Sequence, residues 1–344
     1  METIIREKAL ELGYDECGII RVDALAGYLD RVEERIASIP MGEALYGKYR
    51  AWADPRAEFP DVKSIIVCIV PTYRYTIPDG LDGVYGKAFL FDNRVDDGAP
   101  FFRKRIEFTS FLESRGMTVF KGDSFGFPAP ARWAAQQAGL GIIRRNNFFY
   151  THSGSYVFIE MFAVDRELEL VHDVKLKPCP PGCRRCIESC PSRSLSGPYT
   201  MSMATCVSFH TNLSAKVGSG IPSDEMTRMI GTRLFGCDRC QDACPHNTGR
   251  WKGGEDFPGL DALTEMMSPE RIMQAGPEEL WERFGRKFWY IGRDRLWKWK
   301  INALTAMMNA YEEKYEAAIK QGLADPEEKV RDFARMVCSQ LGIG

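Results

Sequence analysis

Eight of the eleven cysteines in this 344-residue chain lie between positions 179 and 244, and their spacing suits ligands rather than disulfides. Cys179, Cys183, Cys186 and Cys190-Pro191 read C-x3-C-x2-C-x3-C-P. Cys237, Cys240 and Cys244-Pro245 read C-x2-C-x3-C-P, and Cys206 stands alone between the two groups. Thiolates are the soft ligands that iron in a cluster requires. A 4Fe–4S cubane takes four of them, so eight cysteines supply two cubanes with none left over. In two-cluster ferredoxins the cysteine before the proline ligates the other cluster. By that rule Cys179, Cys183, Cys186 and Cys244 form one set, and Cys190, Cys206, Cys237 and Cys240 form the second. A zinc ribbon is the competing reading of paired C-x2-C, and the two C-x3-C-P endings with their crossed arrangement favour iron. The x3 between Cys179 and Cys183, where x2 is usual, makes Cys179 the irregular member.

The rest of the chain must hold these loops. A hydrophobic fraction of 44% and a charged fraction of 27% are ordinary for a globular protein, and the length suits two or three domains. Net charge is only -2, so any nucleic-acid site has to be local. The charged, helix-patterned start Met1-Glu2-Thr3-Ile4-Ile5-Arg6-Glu7 is not a signal peptide, and no apolar stretch of about 18 residues spans a membrane. Many cysteines without a leader point to a reducing compartment and metal ligation. A cytoplasmic monomer with no membrane contact is therefore expected. Cys17, Cys68 and Cys338, each among apolar neighbours, read as small buried hydrophobes.

Taken in order, Ile5, Ala9 and Leu12 predict a helix stopped by Gly13. The apolar run at 64–70, ending at Pro71, predicts a central strand buried on both faces. Residues 72–100, rich in Tyr, Gly, Pro and Asp, read as a functional or flexible insertion. A helix follows from Pro100, with Phe102, Ile106 and Leu112 as its apolar positions and Gly116 as its end. A short strand at Met117 to Phe120, a helix at Ala131 to Ala138 ended by Gly139-Leu140-Gly141, and a strand at Tyr156 to Val164 complete an α/β layered domain. After Pro245 the chain reads as helical. Trp297, Ile301, Leu304, Met308 and Tyr311 predict an amphipathic helix. Asp325 as N-cap with Pro326 at N1 opens a last helix bearing Val330, Phe333, Val337 and Leu341. The fold class is thus α+β multidomain. It divides into an α/β domain at 1–174, a ferredoxin-like dicluster domain at 175–250, and a short helical repeat at 251–344.

At this level of detail the sequence resembles the epoxyqueuosine reductase family over nearly its whole length. The resemblance is carried by Glu11-Leu12-Gly13-Tyr14-Asp15 with Gly18-Ile19, by Asp123-Ser124, by Ala138-Gly139-Leu140-Gly141 and by Gly154-Ser155-Tyr156. It is closest from Cys206-Val207-Ser208-Phe209 and Gly236-Cys237-Asp238-Arg239-Cys240-Gln241 to Cys244-Pro245-His246-Asn247, and continues at Asn302-Ala303-Leu304 and Asp325-Pro326. It implies a modified nitroreductase-like N-terminal domain holding base-off cobalamin, and a HEAT-like C-terminal domain. It implies a flavodoxin or ferredoxin as electron donor, and reduction of the epoxide of epoxyqueuosine in tRNA to the alkene with two electrons and two protons. Such an epoxide needs a nucleophile or reductant that no side chain provides, so a cofactor must carry that chemistry.

The family match makes Asp123 the acid that protonates the departing oxygen, a role that needs burial or a like charge to raise its pKa. Capping the helix at 129–138, or fixing the turn, is the structural alternative for Asp123. Ser124, Gly139, Gly141, Arg144, Arg145 and Asn146 are implied as cofactor contacts. The chain departs from the family pattern in places. Members read Asp-Thr-x-Pro where this chain has the longer Asp123-Ser124-Phe125-Gly126-Phe127-Pro128, and have Glu where it has Ala131. They read Gly-Trp-x-Gly-Lys-Asn where it has Gly141-Ile142-Ile143-Arg144-Arg145-Asn146, and an Arg-Asn pair becomes Ile301-Asn302. His210 and His246 lie near the clusters, where either tuning of potential or plain loop packing would suit them. The run Arg293, Arg295, Trp297, Lys298, Trp299, Lys300 has the cations and aromatics of a tRNA contact, with Trp299 and the cations free of the apolar face. Two other functions fit the same cysteines: a cobalamin-dependent reductase of another small molecule, including dehalogenase-like chemistry, and a ferredoxin-like carrier or corrinoid reductase with no substrate of its own.

Overall fold

The computed structural model describes residues 1–39, 42–92, 94–122 and 127–344. Its first half is organised by six strands: β1 (Glu16–Arg21), β2 (Ser64–Pro71), β3 (Val119–Phe120), β4 (Ile142–Ile143), β5 (Phe149–Tyr150) and β6 (Val157–Val164). Four of them form a sheet in the order β1-β2-β6-β3, while β4 and β5 pair as a separate hairpin. Every residue of β2 is buried, as its unbroken apolar run predicts. Ile66, Cys68 and Val70 face a core shared with helices Glu2–Glu11 and Pro100–Ser114, whereas Ile65, Val67 and Ile69 face helix Ala131–Gln137. Both faces of the sheet are thus covered. Its pairings are all antiparallel, a mixed α+β arrangement, because the alternation of helices and strands along a chain does not determine strand direction.

Several boundaries and faces differ from expectation. In helix Pro100–Ser114 the core-facing residues are Phe101, Phe108 and Leu112, and Ile106 is 56% exposed. The last helix runs Glu328–Leu341, with Glu327 rather than Asp325 at its N-cap. The Asp325 carboxylate instead accepts from the Glu327 backbone N–H at 3.0 Å and from Lys300 Nζ at 2.6 Å. Gly342 closes the helix in the left-handed region, at φ 68°.

The largest difference concerns residues 72–99. Tyr75, Leu81, Tyr85, Leu90, Phe91 and Ala99 are not a loop over the surface. They enter one apolar core with Phe235, Trp299 and the C-terminal helices. With this strap on one side and the cysteine segment on another, helix Trp297–Asn309 is enclosed nearly all round rather than amphipathic, as a helix without a solvent side must be. Tyr311 lies beyond its end and is exposed. Cys17, Cys68 and Cys338 are buried in apolar surroundings as expected.

Candidate functional site

The cysteine loops sort into two groups in space. Cys179, Cys183, Cys186 and Cys244 line one pocket, whose wall is completed by Arg144, Arg145 and His246. The chain reaches these positions through tight local structure. Cys183 N–H donates to Pro180 O at 3.1 Å across a turn with Gly182 at φ 73°. A single helical turn, Arg185–Glu188, then carries Cys186. Burial pushes the Cys186 thiol up, and the neighbouring Cys244 and Cys179 add to it.

The other four thiols form the second group. Burial raises Cys206, Cys237 (to about 11) and Cys240; Cys190 acts on Cys206 and Cys240, and Cys206 acts on Cys237 and Cys240. These neighbours are apolar: Cys237 packs with Val207, Met226 and Ile230, and Cys190 and Cys240 with Ile187 and Leu195. Cys190, Cys206, Cys237 and Cys240 thus neighbour one another, beside the pocket that Cys179, Cys183, Cys186 and Cys244 line.

The hairpin turn between β4 and β5 carries three of the residues implied as cofactor contacts. Arg144 is 2% exposed; its Nη1 donates to Cys179 Sγ at 3.9 Å, its Nη2 donates to Lys177 O at 2.9 Å, and its guanidinium lies over the Tyr150 ring. Arg145 Nη1 donates to Cys183 O at 2.7 Å. Asn146, buried, donates to Tyr150 Oη and to Cys240 O. All three hold the cysteine segment. Gly139 and Gly141 are packing positions. A Cβ on Gly139 would lie 1.8 Å from His172 O, and one on Gly141 2.2 Å from Tyr150 O, so their space is already filled by backbone. Asp123 and Ser124 lie outside the described residues.

The next residue of that turn faces the other way. Asn147 takes a positive φ of 64°. Its side-chain oxygen accepts from Arg35 at 3.3 Å, and its backbone carbonyl accepts from Arg132. Arg132 is solvent-exposed, yet desolvation lowers its pKa, with Tyr28, Arg35, Tyr49 and Tyr46 around it. Arg132 thus stands at the surface within an aromatic, cationic patch. Tyr49 stacks edge-on with Trp52, and Tyr28 packs on Trp133. The buried Trp133 Nε1 and Asn147 Nδ2 have no hydrogen-bond partner among the described residues. The turn at 144–147 thus separates an aromatic, cationic patch from the first group of thiols.

Sequence reasoning missed this patch, although the spacing Tyr46-x2-Tyr49-x2-Trp52 was a legible signal for one aromatic face. It also missed the strap's contact with the second group. Lys87, nearly buried, pairs with Asp82 at 2.8 Å and Asp242 at 3.2 Å, and its backbone N–H donates to Asp238 at 2.6 Å. Burial raises Asp238 to about 6 despite that lysine. His210 is held by Ala204 O at 2.8 Å, and His246 lines the first pocket with its Nε2 buried and unpartnered. The run at 293–300 is not an open contact surface. Trp299 is 1% exposed, Lys298 is fully buried with its Nζ donating to Gly220 O at 2.7 Å, and Arg293 pairs with Glu278. Residue types in that run were right for RNA, and the packing of the strap and cysteine segment took them away.

Comparison with known proteins narrows what the site belongs to. Residues 179–247 match the model of a 4Fe-4S double cluster binding domain. An epoxyqueuosine reductase of Cellulophaga algicola is 30% identical over 250 residues, covering 71% of this chain and 78% of that protein. The chain belongs to the epoxyqueuosine reductase family. An epoxyqueuosine reductase of Xanthomonas campestris is 26% identical across 98% of this chain and 96% of its own length. In fold, the chain superposes on a crystal structure of epoxyqueuosine reductase with an epoxyqueuosine-modified tRNA-Tyr stem loop, with a TM-score of 0.79 at 22% identity, covering 99% of this chain and 90% of that one. Iron–sulfur binding by the 179–247 segment follows from the family model, and among the described residues no helix is long and apolar enough to cross a membrane.

Proposed function

We propose that this epoxyqueuosine reductase family member reduces epoxyqueuosine in tRNA to queuosine. The observation that carries the reading is the 144–147 turn, with four thiols on one side and the aromatic, cationic patch on the other. Cys179, Cys183, Cys186 and Cys244 would hold one 4Fe–4S cluster, and Cys190, Cys206, Cys237 and Cys240 the second. The clusters supply one-electron transfer, and base-off cobalamin, when bound, supplies a low-valent metal able to open an epoxide. The patch has what a large amide-fringed cofactor needs: Tyr46, Tyr49 and Trp52 offer apolar surface, and Arg35 and Arg132 offer donors.

The chain's own residues then have separable tasks. Asp123 holds a proton for the epoxide oxygen, which needs its pKa raised by a dry or anionic setting. The overall change consumes two electrons and two protons and leaves the alkene and water. The cysteines and the Arg144–Asn146 turn hold the carriers in place. The second group lies nearer an open groove lined by Pro191, Arg228, Arg233 and Arg239, whose cations suit an acidic electron-transfer protein such as a flavodoxin or ferredoxin. We assign 1–174, with a modified nitroreductase-like fold, to cofactor and substrate, 175–250 to electron transfer and 251–344, HEAT-like, to support. The setting is cytoplasmic and the working unit a monomer.

Anaerobic reconstitution with iron, sulfide and cobalamin tests the reading. About eight irons and one cobalt per chain are expected, following the two-cubane count, with queuosine formed from an epoxyqueuosine-bearing tRNA stem loop. Iron without cobalt, and no turnover, would instead make the protein an electron carrier. Asp123→Asn is expected to retain both metals and lose turnover; unchanged turnover removes Asp123 from the mechanism.

A further inference from the structure

Two departures from the usual pattern meet at one point. The loop Cys179-Pro180-Pro181-Gly182-Cys183 has one residue more than the common C-x2-C. Arg144 stands where the family pattern has glycine. In the structure the guanidinium of Arg144 reaches Cys179 Sγ at 3.9 Å, and Cys179 is the cysteine that opens the longer loop.

We propose that Arg144 is a positioning residue for Cys179 that raises the reduction potential of the first cluster. This rests on the reading that Cys179, Cys183, Cys186 and Cys244 ligate that cluster. The arginine is built into the wall of the pocket. It is 2% exposed, its Nη2 is tied to Lys177 O at 2.9 Å, and its plane lies over the Tyr150 ring at 5.1 Å from the centroid. Those contacts hold the side chain from two sides and leave Nη1 directed at the sulfur. Both partners of the guanidinium's fork lie in one short segment, Lys177 and Cys179, so one side chain fixes the approach of the chain into the longer loop. Its Nε is buried without a hydrogen-bond partner among the described residues, so this cation has given up water without full compensation by the oxygens described around it. A negatively charged cluster is the compensation its surroundings lack.

The electrostatics give the sign. Reduction adds negative charge to the cluster and its sulfurs, and a donor carrying a full positive charge in a water-poor wall stabilises the reduced form more than the oxidised one. Hydrogen bonds to cluster sulfurs are among the levers that set such potentials. A charge-assisted bond contributes about 1.5–3 kcal/mol, so even its lower end corresponds to about a tenfold change in the reduction equilibrium, 59 mV for a one-electron couple. The second group has no arginine in this relation among the described residues. Arg233 acts on Cys237 through space, but its Nη1 is committed to Ile230 O at 2.9 Å.

The test is a redox titration of the reconstituted protein followed by electron paramagnetic resonance, without substrate or cobalamin. Arg144→Met, which keeps the volume and removes charge and donors, is expected to lower the midpoint of one cluster by about tenfold in its equilibrium and leave the other in place. Arg144→Lys, which keeps the charge and loses the fork, is expected to recover part of that shift. Unmoved midpoints with full iron overturn the proposal, and so does an equal shift of both clusters, which would mean a diffuse charge effect. If Arg144→Met fails to hold iron, Arg144→Lys carries the test alone, with a fall in the first midpoint only. Wild-type protein with about four irons would instead break the two-cluster reading on which the inference stands.

Discussion

The two groups of thiols are built from the same motif and placed in opposite surroundings. The first group lines a pocket whose other walls are Arg144, Arg145 and His246, next to the aromatic, cationic patch. In the second, Cys237 packs with Val207, Met226 and Ile230, and Cys190 and Cys240 pack on the Ile187–Leu195 cluster, which Cys186 of the first group also joins; Asp238 beside them is met by the strap's Lys87. Arg144, held against Cys179, favours an added electron in the first group, while the burial of Cys206, Cys237 and Cys240 disfavours one in the second, whose arginines line an open groove. That difference teaches a direction: electrons arriving at the second group would run downhill to the first, toward the patch.

The sharpest way to break this comparison is to remove one ligand from each group. Cys183→Ala and Cys240→Ala should each reduce iron from about eight to about four per chain and abolish turnover. Only the second should markedly lower thermal stability, because Cys240 packs against the Ile187–Leu195 cluster whereas Cys183 joins no apolar cluster among the described residues. Equal thermal losses would show that the two environments do not differ in the way argued. Metal analysis and thermal denaturation read the two effects.

A smaller effect is expected at the strap. Lys87→Met strips the partner from a buried carboxylate, which in other proteins costs about 3–5 kcal/mol. The loss should show in chemical denaturation while the first cluster's spectrum stays unchanged. Arg145→Met, whose side chain is only half-buried beside the first group, should cost less than half as much. If the order is reversed, the second group is not the more tightly built of the two.

A third experiment uses the sheet as a reference away from both groups. Glu160, buried on β6, is raised to about 7 by desolvation, only partly offset by the hydrogen bond from Tyr14 and by Arg105. Its folded-state pKa lies above its ordinary 4.5, so the native chain keeps a proton that the unfolded chain releases. The stabilising effect is full below about pH 4.5 and is lost as pH rises toward 7, at most about 3 kcal/mol in all. Glu160→Gln should flatten this slope in denaturation at pH 5 and pH 8 without changing either cluster. A mutant that keeps the wild-type slope would mean that the loss arises nearer the thiols.

The smallest effect should come from the exposed pair Arg293–Glu278. Arg293→Ala is expected to change stability by less than about 1 kcal/mol and to leave tRNA affinity, measured by filter binding at fixed salt, within twofold. A large loss of affinity would return the 293–300 run to the interface that its burial argues against.

How far the chain could be read follows from how local each signal is. Cysteine spacing is local, and the buried strand at 64–71, the helix at 2–11 and the glycine-closed last helix are set by periodicity and end signals within a few residues. All were legible in the sequence, as was a double-cluster segment at 179–247. What only the tertiary structure decided were the contacts made between distant segments. Residues 72–99 read as an insertion because their aromatic residues have no period, and they became core because Phe235 and Trp299 face them. Lys298 and Trp299 read as free because one helix viewed alone has an outside, and the packed protein gives that helix almost none. Arg144 read as a cofactor contact, and the hairpin turned it inward onto Cys179. Residue type and spacing determined which atoms could bind metal; the packing of segments far apart in sequence decided what surrounds them, since burial and charge environment are properties of the whole fold.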